Sequence, residues 1–125
     1  DLNRVDEQLK LMGKEFIQLT GNDDNALEFN KRGGVGAISV TANIAAKLCS
    51  DFQNACIDDF NKAEILDKIL QPVHTSMFIE SNPSPVKYAG SLLGMCKPDV
   101  RLPLVQVTEN SKNKISEALK VAKIL

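Results

Sequence analysis

The chain is 125 residues long, an ordinary single-domain length, with the apolar and charged fractions of a globular protein and a formal net charge of −1. Lys and Arg are scattered along it, which excludes the basic footprint that a nucleic acid or an anionic membrane requires; neither is expected as a partner. No apolar run nears the ~20 residues of a transmembrane helix, and the first residues lack signal-peptide character, so a cytoplasmic protein is the expectation.

From Asp1 to Met12 the apolar residues Leu2, Val5, Leu9 and Met12 recur at helical spacing, with Asp1 placed at the positive end and Gly13 placed to stop the helix. Glu15 to Thr20 is a short apolar-rich run closed by Gly21 and reads as a strand. Asn22-Asp23-Asp24 then supplies turn and cap chemistry for a helix from about Asn25 to Lys31, which Gly33 terminates. Val35 to Val40 carries no charge, lies between glycines and Thr41, and reads as a strand buried on both faces. Gly34-Val35-Gly36 has the first two glycines of a dinucleotide fingerprint. They precede the strand, however, whereas a phosphate-cradling loop follows one and opens a helix. Thr41 to Asn43 leads into a helix bearing Ile44, Ala45, Leu48, Phe52 and Cys56, so strand, polar loop and helix occur twice in units of roughly 20 residues.

Beyond residue 60 the strand signal stops. Asn61 is placed to cap a helix with apolar positions at Ile65, Leu66, Ile69, Leu70, Val73, Met77 and Phe78, and Pro72 inside it removes a hydrogen-bond donor. Asn82-Pro83-Ser84-Pro85 reads as a stiff break, followed by a short helix from Val86 to Met95. Lys97 to Pro103 reads as an extended surface connection, and Lys112 to Leu125 as a last helix packing through Ile115, Leu119 and Ala122. Three cysteines, Cys49, Cys56 and Cys96, form no C-x-x-C pair and read as small core hydrophobes. His74, the single histidine, reads as a helix residue with no partner set for a metal. Two parallel strands with unpaired edges do not close a domain. The chain is therefore expected to be the C-terminal part of a larger α/β protein, and its opening on a helix fits that.

Four stretches carry a specific resemblance: Leu19-Thr20-Gly21-Asn22-Asp23-Asp24, Gly33 through Asn43, Asn82-Pro83-Ser84-Pro85-Val86-Lys87, and Arg101-Leu102-Pro103-Leu104. In order and with few length changes they resemble the last portion of the 4-hydroxy-tetrahydrodipicolinate synthase family, also called the dihydrodipicolinate synthases. The likeness runs over essentially the whole chain. N-acetylneuraminate lyase and other pyruvate-dependent aldolases share the fold but usually differ from Ile38 to Asn43.

The resemblance implies a (β/α)8 TIM barrel with a C-terminal helical extension, of which residues 1–58 would be the last barrel part and residues 59–125 the extension. It implies condensation of pyruvate with L-aspartate semialdehyde, on the route to diaminopimelate and lysine, through a Schiff base on a lysine. That lysine would lie a few residues upstream of Asp1, so the segment alone is expected to be inactive, with no catalytic residue of its own, no cofactor and no metal. Two positions of the pyruvate pocket carry over: Gly21, where a missing Cβ lets backbone approach the ketoacid, and Ile38, whose backbone carbonyl would stand beside it. Asn22 stands where the family commonly has aspartate. The likeness also implies a homotetramer, with Leu2 and Arg32 matching positions near a subunit contact; the competing reading is a non-catalytic helical assembly module.

Overall fold

The computed structural model describes residues 1–125. It contains six α-helices, α1 (Asn3–Met12), α2 (Ala26–Lys31), α3 (Ala46–Asp58), α4 (Phe60–Met77), α5 (Ser84–Leu92) and α6 (Glu109–Val121), with 3-10 turns at Asp23–Asn25 and Thr41–Asn43. No helix is long and apolar enough to cross a membrane.

Neither predicted strand becomes a regular strand. The chain is nevertheless extended at both places, and the two stretches run parallel. The Val35 N–H donates to the Gln18 carbonyl at 3.0 Å, the Thr20 N–H to Gly36 at 3.0 Å, and the Ile38 N–H to Thr20 at 2.8 Å, giving a single bridge between Thr20 and Ala37. The expectation that Val35–Val40 is buried on both faces is corrected here. Residues opposed across a parallel pair share a side and neighbours along it alternate. Ala37, opposite Thr20, packs onto the helical core, whereas Ile17, Leu19 and Ile38 on the other side are 73%, 51% and 73% exposed. A run without charge shows that both faces are fit for burial. The helices of this chain supply a layer on only one.

That layer is centred on α4, against which α3 and α6 pack. Ala63, Leu70, Val73 and Met77 are wholly buried, and with half-buried Leu66 they recur every three or four residues, the stripe one helix face presents to a core. Ile65 and Ile69, expected on that face, lie about 100° off the stripe and are 60% and 38% exposed. Phe78 follows the last turn and is also exposed.

Several boundaries shift for local reasons. Asp59, not Asn61, caps α4: its Oδ1 accepts the Lys62 N–H at 3.0 Å. Pro72 leaves α4 unbroken and lies on its exposed side. α5 begins at Ser84 with Pro85 in its first turn, where a missing N–H costs nothing, so the expected break is two residues shorter. α6 starts at Glu109 rather than Lys112 because the Thr108 hydroxyl accepts the Ser111 N–H at 3.4 Å; it ends at Val121.

The predicted glycine stops are present. Gly13 (φ +87°) ends α1, and Gly33 (φ +103°) follows α2, with a position for a Cβ that would meet Leu9 at 2.8 Å. Of the cysteines, Cys49 is buried and Cys56 half-buried, but Cys96 is exposed, which corrects its assignment to the core.

Candidate functional site

The parallel pair brings the two predicted pocket residues together. The Ile38 N–H bonds the carbonyl of Thr20, the residue immediately before Gly21, so Gly21 and Ile38 stand side by side at the C-terminal ends of their stretches. Gly21 is exposed, and a Cβ built on it would meet nothing within 4 Å. The Ile38 side chain projects from the open face, its N–H is used, and its carbonyl accepts no hydrogen bond from the chain. An unpaired acceptor beside a position without a side chain, at the open end of a parallel pair, is where ligands of α/β folds are met.

Directly behind lies a polar network that residue patterns did not reveal. Asp23 Oδ2 accepts the N–H groups of Val40 and Thr41 at 2.9 and 3.1 Å, and Thr41 Oγ1 shares a 2.7 Å hydrogen bond with His74 Nδ1. All three residues are buried. Asp23 comes from the turn after the first stretch, Thr41 from the turn after the second and His74 from α4, so the network ties both loops to the helical layer. In the sequence Asp23 and Thr41 read as turn and capping residues and His74 as an ordinary helix residue. The available signal was register: His74 lies four residues after Leu70, on the core stripe, where an imidazole needs a partner.

Asp23, His74 and Cys49 also line one cavity of about 230 Å³, together with Ser39 and Phe52. A Cys-His-Asp nucleophile is not formed there. The His74 Nδ1 bond goes to Thr41, and burial, reinforced by the nearby Asp23 charge, pushes the Cys49 thiol up to about 11, far from a thiolate. Burial likewise holds the His74 imidazole below its usual range, outweighing the attraction of Asp23, Asp67 and Asp24.

The model of the dihydrodipicolinate synthetase family matches residues 1–122. The chain belongs to that family. It is 64% identical over 129 residues to the 4-hydroxy-tetrahydrodipicolinate synthase of Pelagibacter ubique, an alignment covering 100% of this chain and 44% of that protein. The crystal structure of dihydrodipicolinate synthase from Aquifex aeolicus superposes with a TM-score of 0.94 at 34% identity, over 99% of this chain and 43% of that one. The chloride-inhibited enzyme from Acinetobacter baumannii, solved with pyruvate, gives 0.93 at 34% identity over 100% and 43%. The chain thus spans less than half the length of the family members it matches, and is part of their TIM-barrel enzyme fold. The exposure of Ile17, Leu19 and Ile38 follows: the segment holds only a portion of the layers that bury such residues in a barrel.

Proposed function

We propose that this chain forms one wall of the pyruvate site of a 4-hydroxy-tetrahydrodipicolinate synthase, in a longer protein whose Schiff-base lysine lies upstream of Asp1. The observation that carries the site reading is the unpaired Ile38 carbonyl beside Gly21. In the proposed reaction the lysine amine adds to the ketone of pyruvate and water leaves, forming an iminium. Loss of a methyl proton gives an enamine, whose carbon attacks the aldehyde of L-aspartate semialdehyde. The Ile38 carbonyl is an acceptor and so suits the ketone end, where a hydroxyl or iminium N–H donor develops, rather than the carboxylate, which offers only acceptors. Gly21 leaves room for the ketoacid against the backbone. Residues 1–58 then form the last part of the barrel and residues 59–125 a helical extension carrying α4 to α6, in a cytoplasmic homotetramer. The family match over residues 1–122 supports the reading.

Borohydride reduction of the full-length protein in the presence of pyruvate, followed by peptide mass mapping, tests it. The expected adduct is on a lysine upstream of Asp1, and the 125-residue segment alone is expected to yield none. An adduct on a lysine of this chain, such as Lys14 or Lys87, would sink the assignment.

A further inference from the structure

The Ile38 carbonyl is free for a local reason, which lies in the side chain of Thr20. The rungs Val35 to Gln18, Thr20 to Gly36 and Ile38 to Thr20 alternate regularly along the parallel pair. Continued by one step, the same register sends the Asn22 N–H to the Ile38 carbonyl. Asn22 is still extended there, with φ −115° and ψ 117°, so its own backbone conformation does not forbid the rung. Its N–H instead meets the Thr20 hydroxyl at 3.1 Å. That hydroxyl is oriented in turn, because Thr20 Oγ1 donates to Asn25 Oδ1 at 3.1 Å in the following 3-10 turn, with a longer approach of 3.4 Å to the Asn22 carbonyl. Thr20 is buried, so no water competes freely for these bonds. Beyond Ile38 the N–H groups of Val40 and Thr41 are both taken by Asp23. The donor that the ladder register would bring to the carbonyl, the Asn22 N–H, and the N–H groups of Val40 and Thr41 beyond it are therefore committed elsewhere.

We propose that Thr20 is a positioning residue for the ketoacid: by capturing the Asn22 N–H it ends the strand ladder one rung early and keeps the Ile38 carbonyl open to the substrate. This rests on the pyruvate-site reading above. Side-chain hydroxyls that bond nearby backbone commonly compete with ladder hydrogen bonds; here the competition exposes an acceptor at the end of a strand. The effect acts on substrate binding through Ile38, since Thr20 itself faces the helical layer.

The test uses the full-length protein and measures KM for pyruvate, kcat and borohydride trapping. Thr20→Val keeps the shape and removes the hydroxyl, which releases the Asn22 N–H to the Ile38 carbonyl. Loss of one substrate hydrogen bond corresponds to a rise in pyruvate KM of roughly tenfold, with kcat changed by less than about threefold. Thr20→Ser restores the hydroxyl without the methyl group and is expected to bring KM back to within about threefold of the parent. Wild-type trapping with an unmoved KM in Thr20→Val overturns the proposal alone, as does a Thr20→Ser variant behaving like Thr20→Val. A wild-type protein that traps no pyruvate removes the ketoacid reading and the proposal with it. Should Thr20→Val fail to fold by circular dichroism, Thr20→Ala is read against the same thresholds. If neither folds, the hydroxyl is a folding determinant and the positioning role falls.

Discussion

Thr41 is a small residue with large consequences, because its hydroxyl is the link between the turn that follows Ile38 and the helix beneath it. Replacing it with Val preserves volume but leaves His74 Nδ1 buried without its partner at 2.7 Å, at an expected cost of about 1–3 kcal/mol. Urea unfolding of the Thr41→Val protein measures this directly, and a loss under about 0.5 kcal/mol would mean that the bond is not a working link. His74 adds a pH dependence whose sign follows from burial. Its folded pKa lies below the ordinary 6.5, so the fold favours the neutral ring. The unfolded chain then takes up protons first, so the contribution is complete above about pH 6.5 and is lost as pH falls from there through the folded value. His74→Asn lacks that titration. Its unfolding midpoint is expected to vary less between pH 7 and 5 than that of the parent, and equal slopes for the two proteins would refute the assignment.

Among the elements, α4 shows how a helix is legible in sequence while its facing is less so. Its apolar residues announce a helix, but Ile65 and Ile69 are as hydrophobic as Leu66 and Leu70, and only the packed stripe separates them. Leu70→Ala, at a wholly buried position, is expected to cost about 2–5 kcal/mol through lost contacts and a cavity. Ile65→Ala is expected to stay within about 0.5 kcal/mol of the parent. Thermal or denaturant unfolding of the pair decides between this facing and the broader stripe read from periodicity. Helix starts are less legible, since Asp59 and Asn61 are both good caps and Thr108 lies four residues ahead of the expected start of α6. The choice fell to residues with outside support: Glu80 Oε1 accepts both the N–H and the hydroxyl of Thr108, at 2.9 and 2.8 Å, and anchors it. Hydrogen bonds from Ser111 and Thr108 hold the Glu80 carboxyl below its usual range.

For the molecule as a whole, the open face of the parallel pair is the dominant feature. Ile17, Leu19 and Ile38 form an apolar surface that a barrel would cover and that these helices do not. The 125-residue segment in isolation is expected to bind an apolar dye and to associate with rising concentration in light scattering, and Ile17→Lys together with Leu19→Lys is expected to weaken both. A monodisperse monomer with no dye binding would show that the face is covered after all. What the sequence by itself determined is the family, the two glycine stops and the parallel placement of the two extended runs, because each depends on short-range chemistry or on stretches that recur in order. The tertiary structure alone decided which face of the pair is covered and that Asp23, Thr41 and His74 meet. Those outcomes turn on which long-range partner reaches a group first, and a side chain's identity does not carry that information.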